Sequence, residues 1–237
     1  MSFNLNKSRD VDIVFCIDGT GSMTPCLDNV KRAVRTFQDE LIARAADENT
    51  AIGQLRIKVI VFRDYKDDGS DAMIESRFFV LPEDIAAYED CIRSIEATGG
   101  GDNPESGLEA LYLAMSSDFV TGNSDRQVIV LFTDDDAIEL QDPERKVNPI
   151  YPRDMKVKDV NDMINMWERI GEYAQDSSTK LRDRLKRLVI YAPNNTKYEE
   201  LSKMSRTYFI ATQMENGMQE FTFEDVMSMI VSSISAQ

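Results

Sequence analysis

Hydroxyl and carboxylate side chains alternate with glycine in the segment Asp18-Gly19-Thr20-Gly21-Ser22. Such oxygens are the hard ligands that Mg²⁺ and Ca²⁺ take from proteins. The two glycines let the backbone turn sharply, as a loop around an ion must. The segment therefore predicts a nest of oxygen atoms for a divalent cation. The alternative is a loop that binds no ion and whose hydroxyls only cap the helix that follows.

The residues around this segment place it at the edge of a sheet. Residues 11–17 form a β-rich, nearly all apolar run, which is typical of a strand covered by helices on both faces. After the segment, Thr24 can cap a helix and Pro25 suits its first position. A loop between a buried strand and a helix lies in the crevice where open α/β sheets bind ligands. We therefore expect Asp18 at the C-terminal tip of a strand.

Hydrophobic patterning predicts an α/β fold, a doubly wound and mostly parallel sheet with one antiparallel edge strand and helices on both faces. The predicted strands are 11–17, 55–62, 76–80 (the edge strand), 126–134, 187–193 and 208–212. The predicted helices are 24–46, 82–95, 104–115, 160–170, 198–201 and 223–234. We expect a single domain over residues 1–237, with its core from about residue 10 and a polar loop inserted at 137–158.

Three segments resemble the metal-ion-dependent adhesion site of the von Willebrand factor A (vWA) domain family. They are the Asp-x-Thr-x-Ser run at 18–22, the Thr-Gly-Gly-Gly-Asp-Asn-Pro-Glu run at 98–105 and the Phe-Thr-Asp-Asp run at 132–135. The resemblance implies a Rossmann-like vWA fold and a site for Mg²⁺, or for Mn²⁺ or Ca²⁺, at the edge of the sheet where the three loops converge. The metal ligands that it implies are Asp18, Thr20, Ser22, Asp102 and Asp134.

The second of these loops departs from the family pattern. Family members usually supply a threonine there, whereas the glycine run places Asp102 at or near that position. Thr98 stays open as the alternative ligand. A third carboxylate near the ion should tighten binding but leave less positive charge for an acidic ligand of a partner.

The second predicted strand ends in Phe62-Arg63-Asp64-Tyr65, an ending that resembles intracellular members of the family. Two interpretations of Asp64 remain open. Its carboxylate could reach the ligands of the metal from outside. Alternatively, Arg63 and Asp64 only pair with neighbours at the end of the strand.

Composition points away from nucleic acid and membranes. The formal net charge is −15, and phosphate binding needs clustered Lys and Arg. The N-terminus lacks the apolar core of a signal peptide, and no apolar run approaches the roughly 20 residues that span a bilayer. Cys16, Cys26 and Cys91 lack the spacing of a disulfide framework and are expected to be free thiols. We therefore expect a cytoplasmic protein, whose oligomeric state stays open.

The absence of histidine removes Ser-His and Cys-His nucleophile systems and the commonest general base. One enzyme alternative remains, since residues 17–20 and 133–136 resemble motifs of Mg²⁺-dependent haloacid-dehalogenase-type phosphatases. Their nucleophilic aspartate would lie two residues before Asp18, where this chain has Cys16. A buried thiol cannot act as that carboxylate, so a protein without catalytic activity is favoured.

The resemblance implies a metal-dependent protein-interaction module, an adaptor or regulatory subunit of an intracellular assembly. Asp135, Asp136 and the loop that continues to Pro152 must begin at the metal face. We expect them to form an acidic surface there. Protein partners with a basic rim around a single oxygen ligand would be attracted to it, and acidic partners would be repelled.

Overall fold

A seven-stranded sheet forms the centre of the described part of the chain. The computed structural model describes residues 8–33, 36–99, 104–177, 179–213 and 223–235. The strands are β1 (Arg9–Asp18), β2 (Ile52–Phe62), β3 (Met73–Glu75), β4 (Phe79–Leu81), β5 (Arg126–Phe132), β6 (Lys186–Pro193) and β7 (Thr207–Thr212). The helices are α1 (Thr24–Ala33), α2 (Phe37–Asp47), α3 (Ile85–Ser94), α4 (Gly107–Met115), α5 (Val160–Glu168), α6 (Lys197–Glu200) and α7 (Phe223–Ser235).

The strand order is β3-β2-β1-β5-β6-β7, with β4 also paired to β2. Neighbouring strands from β2 to β7 along this order are parallel. The predicted doubly wound, mostly parallel sheet is therefore confirmed. Because the order reverses between β1 and β5, the crevice of the fold lies at the C-terminal ends of these two strands.

The antiparallel edge predicted at 76–80 consists of two short strands. β3 pairs with Ile60–Phe62 of β2, and β4 pairs with Leu55–Ile57. Between them, the Ser76 hydroxyl accepts a hydrogen bond from the Val59 amide, at 2.9 Å. A side chain thus replaces the main-chain acceptor for the Val59 amide, while the Ser76 amide still donates to the Val59 carbonyl oxygen at 2.9 Å, so the ladder is irregular at this position.

Apolar side chains cover both faces of β1. Val14 and Cys16 face a core formed with α4 and α5, whereas Ile13, Phe15 and Ile17 face a core formed with α1, α2, α3 and α7. None of these five side chains is more than 7% exposed. Full burial of one such aliphatic or aromatic side chain stabilises a fold by about 1.5–3 kcal/mol, so β1 is held firmly from both sides.

Several predicted helices have different bounds in the structure. The helix predicted from Pro82 begins at Ile85. The span predicted as 24–46 holds two helices, α1 and α2, and residues 34 and 35 between them lie outside the described part. The helix predicted from Pro104 begins instead at Gly107. Glu105 is not helical because its backbone forms a parallel bridge with Ala137. None of the helices within the described ranges is both long and apolar enough to cross a membrane.

The segment 137–158 packs into the fold although its sequence is polar. Its buried apolar side chains are Ala137, Ile138, Leu140, Tyr151, Met155 and Val157. Asn148 donates from its side-chain amide to the carbonyl oxygens of Tyr65 and Gly69, at 2.7 and 2.8 Å. The segment is therefore fastened to the loop that follows β2.

Candidate metal centre

Asp18 and Asp134 lie at neighbouring strand ends. Ile17 of β1 is paired in register with Phe132 of β5, so the residues that follow each of them emerge side by side. Both carboxylates are buried, at 0% and 1% exposure. The topology thus brings two of the predicted ligands together from positions 116 residues apart in the sequence.

Hydrogen bonds connect four of the predicted ligands in one chain. The Thr20 hydroxyl donates to Asp18 Oδ1 at 2.6 Å, and the Ser22 hydroxyl donates to Asp134 Oδ1 at 3.0 Å. The two hydroxyl oxygens are 3.2 Å from each other. Asp18, Thr20, Ser22 and Asp134 therefore form one cluster, as predicted from the sequence.

The direction of these hydrogen bonds suits a cation. A hydroxyl has one proton, and the protons of Thr20 and Ser22 can both be donated to aspartates. With both protons donated in this way, the two oxygens present lone pairs to each other, as two ligands of one cation would. In an octahedral Mg²⁺ site with bonds of about 2.1 Å, adjacent ligands lie about 3.0 Å apart. The observed 3.2 Å is close to that separation.

Thr133 holds the Asp18 carboxylate in place. Its hydroxyl donates to Asp18 Oδ2 at 2.8 Å, while the Thr20 amide donates to Asp18 Oδ1 at 2.9 Å. Burial raises the pKa of Asp18 to about 6, and the charge of Asp134 acts in the same direction. Sequence reasoning assigned no role to Thr133, although its position one residue before Asp134 was a usable signal.

The second loop is described only at its ends. Asp102 lies outside the described residues, so its predicted role stays a prediction. Thr98 is exposed, and its contacts to the site are made by its backbone. Its amide donates to the Gly19 carbonyl oxygen at 3.0 Å, which joins the second loop to the first.

Glu105, at the end of the second loop, is a buried carboxyl group that sequence reasoning missed. It is 1% exposed, and neither side-chain oxygen has a hydrogen-bond partner among the described residues. Burial raises the pKa of Glu105 to about 9, and the nearby charge of Asp18 adds to this effect. A buried carboxyl group without a partner beside other carboxylates fits a cation in the same place. Its position in the Pro-Glu end of the second motif was the signal that could have identified it.

Asp64 is paired with a distant arginine. Its two carboxylate oxygens accept hydrogen bonds from Arg145 Nε and Nη2, at 2.9 and 2.8 Å. Lys66 donates its backbone amide to the same carboxylate, at 3.0 Å. Of the two interpretations of Asp64, ion pairing therefore describes its contacts, but the partner is 81 residues away and not at the strand end.

Asp135 and Asp136 form less of an exposed acidic surface than predicted. Asp135 is 7% exposed, and its Oδ1 accepts from the Asp136 amide at 2.7 Å. Asp136 Oδ1 accepts from the amides of Ala137 and Lys197, at 2.7 and 2.9 Å. Both carboxylates are thus engaged with backbone amides, and Asp136 joins the third loop to the start of α6.

No group of three Cys, Asp or Glu side chains that could hold a metal ion is found among the described residues. The candidate site differs from such a group because two of its four described members are hydroxyls. Its oxygen set of two carboxylates and two hydroxyls still matches what Mg²⁺, Mn²⁺ and Ca²⁺ prefer.

Solved structures of two larger proteins resemble this chain in fold. The pilus adhesin SpaC from Lactobacillus rhamnosus GG is 14% identical, with a TM-score of 0.53 over 97% of this chain and 31% of the adhesin. The proximal thread matrix protein 1 from the mussel byssus is 13% identical, with a TM-score of 0.51 over 96% of this chain and 47% of that protein. This chain thus spans less than half of either protein, and the likeness concerns the fold alone.

The sequence itself gives the family. No curated protein matches the chain. The family model of the von Willebrand factor A domain matches residues 12–214, a range that includes all three predicted metal loops and all the strands from β2 to β7. The chain therefore belongs to the von Willebrand factor A domain family.

Proposed function

We propose that the chain is a metal-dependent protein-interaction module that binds Mg²⁺, or Mn²⁺ or Ca²⁺, at the C-terminal edge of its sheet. The ligands are Asp18, Thr20, Ser22 and Asp134, with Asp102 as a further ligand from the second loop. The observation that carries the proposal is the cluster of four oxygen-bearing side chains, in which the hydroxyl oxygens of Thr20 and Ser22 lie 3.2 Å apart and within hydrogen-bond distance of Asp18 and Asp134.

The residues around the cation have separate tasks. Asp18 and Asp134 accept the hydroxyl protons and so turn the lone pairs of Thr20 and Ser22 toward the ion. Thr133 fixes the orientation of Asp18. When bound, the ion supplies a coordination position for an oxygen atom of a protein partner. Domains of this family are generally protein-interaction modules, and we assign this chain the role of an adaptor or regulatory subunit inside the cell.

A function without catalysis is supported by residue 16, the position that the nucleophile of a haloacid-dehalogenase-type phosphatase would occupy. Cys16 is fully buried, and its Sγ lies 3.7 Å from the Ala110 carbonyl oxygen in the core below α4. Burial raises the pKa of this thiol far above its usual range. A haloacid-dehalogenase-type reaction needs a carboxylate nucleophile at this position, so Mg²⁺-dependent phosphatase activity of the purified chain would contradict the proposal.

Metal binding is tested by titrating the wild type and two serine variants with Mn²⁺. Ser22→Ala removes one proposed ligand and should weaken binding by about tenfold or more, which corresponds to about 1.4 kcal/mol. Ser228→Ala changes an exposed serine on α7 and should bind as the wild type does. In thermal unfolding, free ion at a hundred times the dissociation constant should stabilise the wild type by about 2.7 kcal/mol. Equal affinity of all three proteins, or no binding, would contradict the proposal.

Acidic side chains other than Asp135 and Asp136 are exposed at the metal face. Asp67 and Asp71, in the loop after β2, are exposed and form no ion pair with any described residue. We propose that they contribute the acidic rim that attracts partners with basic side chains around their oxygen ligand.

Charge reversal tests this rim. A partner captured in Mg²⁺ and released by chelator should associate more slowly with an Asp67→Lys, Asp71→Lys variant, and the difference should shrink as salt rises. The matched control is Asp47→Lys, Glu48→Lys. This variant makes the same change of charge at the opposite end of the parallel strands, where β2 begins. Stopped-flow association rates that are equal for both variants would place the partner elsewhere.

A further inference from the structure

Arg63, the residue after β2, is a buried cation that is satisfied by backbone oxygens. It is 3% exposed and forms no ion pair with the described residues. Its Nε donates to the carbonyl oxygens of Gly19 and Thr98, at 3.1 and 2.7 Å. Nη1 donates to the Asp71 carbonyl and Nη2 to the Glu96 carbonyl, each at 2.7 Å. One guanidinium therefore contacts three separate segments.

These segments include the first two proposed metal loops. Gly19 lies between the proposed ligands of the first loop, and Thr98 begins the second loop. The Thr98 amide also donates to the Gly19 carbonyl, so the two loops meet at the oxygen that Arg63 contacts. At the other end of the second loop, the Ser106 amide donates to the Arg63 carbonyl at 3.3 Å. Arg63 thus holds both ends of the second loop.

Two glycines make room for this side chain. A Cβ on Gly19 would lie 3.0 Å from the Arg63 guanidinium carbon and 2.6 Å from Val61 Cγ1. A Cβ on Gly99, where φ is +82°, would lie 3.1 Å from Arg63 Cδ and 2.0 Å from Asp68 Oδ1. The first loop therefore carries glycine where the Arg63 guanidinium packs against it, and the second loop carries glycine where the aliphatic part of the side chain does.

We propose that Arg63 is a positioning residue that fixes the described ends of the second metal loop relative to the first loop, and so sets the affinity for the cation without touching it. The inference rests on the proposed metal site. Arginine suits the task because its planar fork carries five N–H donors in fixed directions, whereas lysine offers one ammonium group. Changing residues that orient metal ligands typically lowers affinity by about 10- to 100-fold.

The test compares Arg63→Lys with Arg56→Lys. Arg56 is also on β2 and makes a bidentate contact with Asp12, at 2.7 and 2.6 Å, toward the other end of the strand. Mn²⁺ titration should show affinity about tenfold or more lower for Arg63→Lys and unchanged for Arg56→Lys. Hydrogen exchange of the Thr98 amide in the metal-free protein should accelerate only in Arg63→Lys.

The outcomes separate this inference from the proposed function. A wild type that binds no Mn²⁺ would overturn the metal site, while hydrogen exchange would still decide whether Arg63 holds the loop. Unchanged Thr98 exchange in Arg63→Lys would overturn the inference, as would equal loss of affinity in both arginine variants. If Arg63→Lys does not fold, Gly99→Ala takes its place, since an added Cβ there strains the second loop at a φ of +82° and presses on Asp68 and on the Arg63 stem. Unchanged Mn²⁺ affinity in that variant would also overturn the inference.

Discussion

Replacing Asp64 by alanine is expected to lower the free energy of unfolding by about 3–5 kcal/mol, the usual loss when one partner of a buried ion pair is removed. The Asp64 side chain is fully buried and the Arg145 side chain is 13% exposed, so water would hydrate the remaining guanidinium poorly, and its other carboxylate contact among the described residues is the single one to Asp142, at 3.2 Å. The loss should appear in urea unfolding as a lower midpoint with an unchanged slope.

A double variant separates charge from packing. Asp64→Leu with Arg145→Met replaces both partners by apolar side chains of similar length and should recover most of the stability lost in either single variant. The pair would instead behave as an exposed salt bridge if each single variant lost less than about 1 kcal/mol. The Mn²⁺ affinity of Asp64→Ala distinguishes the two interpretations of Asp64. A large loss there would favour the alternative that Asp64 supports the metal ligands.

The metal-free protein is expected to lose stability as the pH rises from about 5 to about 9. Burial raises the pKa of Glu105 to about 9 and that of Glu109 to about 7, from an ordinary value of 4.5. Between pH 4.5 and its folded-state pKa, each carboxyl group keeps a proton in the folded chain that the unfolded chain has released, so rising pH favours unfolding. The contribution of the two protonated carboxyl groups to the free energy of unfolding is complete below pH 4.5 and is lost as the pH rises through the folded-state pKa values. Over this pH range each group lowers the free energy of unfolding by about 1.4 kcal/mol per pH unit.

Glu105→Gln tests the larger of these contributions. Glutamine has nearly the same shape and is neutral at every pH, so this variant should be more stable than the wild type at pH 8 and should show a flatter pH dependence. Glu83→Gln, at an exposed position, is the matched control and should leave the curve unchanged. Urea unfolding at pH 5, 6, 7 and 8 in chelator measures all three proteins. A wild-type curve that is flat or rises over this range would contradict the assignment.

The parallel core of the fold could be predicted because each central strand is apolar on both faces. Residues 11–17 have no polar alternation apart from Asp12, and the structure buries all of them. The bounds at the periphery could not be predicted, since they depend on single contacts. Ser76 inserts its hydroxyl into the edge ladder, and the backbone of Glu105 pairs with Ala137 before α4 can begin.

The candidate site was predictable to the extent that it is local or lies at strand ends. Asp18, Thr20 and Ser22 share one loop, and parallel pairing of β1 with β5 brings Asp134 beside them. The partner of Asp64 was not predictable, because Arg145 reaches it only after the segment 137–158 has folded onto the loop following β2. The polar residues of that segment predicted an inserted loop, although its apolar side chains are buried in the core.

The divided edge of the sheet has a consequence for self-association. A long, regular edge strand offers a row of free backbone groups on which another molecule can add a strand and begin to aggregate. Here the edge beside β2 is made of β3 and β4, with three residues each, and the Ser76 hydroxyl replaces one main-chain acceptor between them. Neither short strand provides a template long enough to nucleate such growth, so this border of the molecule resists sheet-to-sheet aggregation.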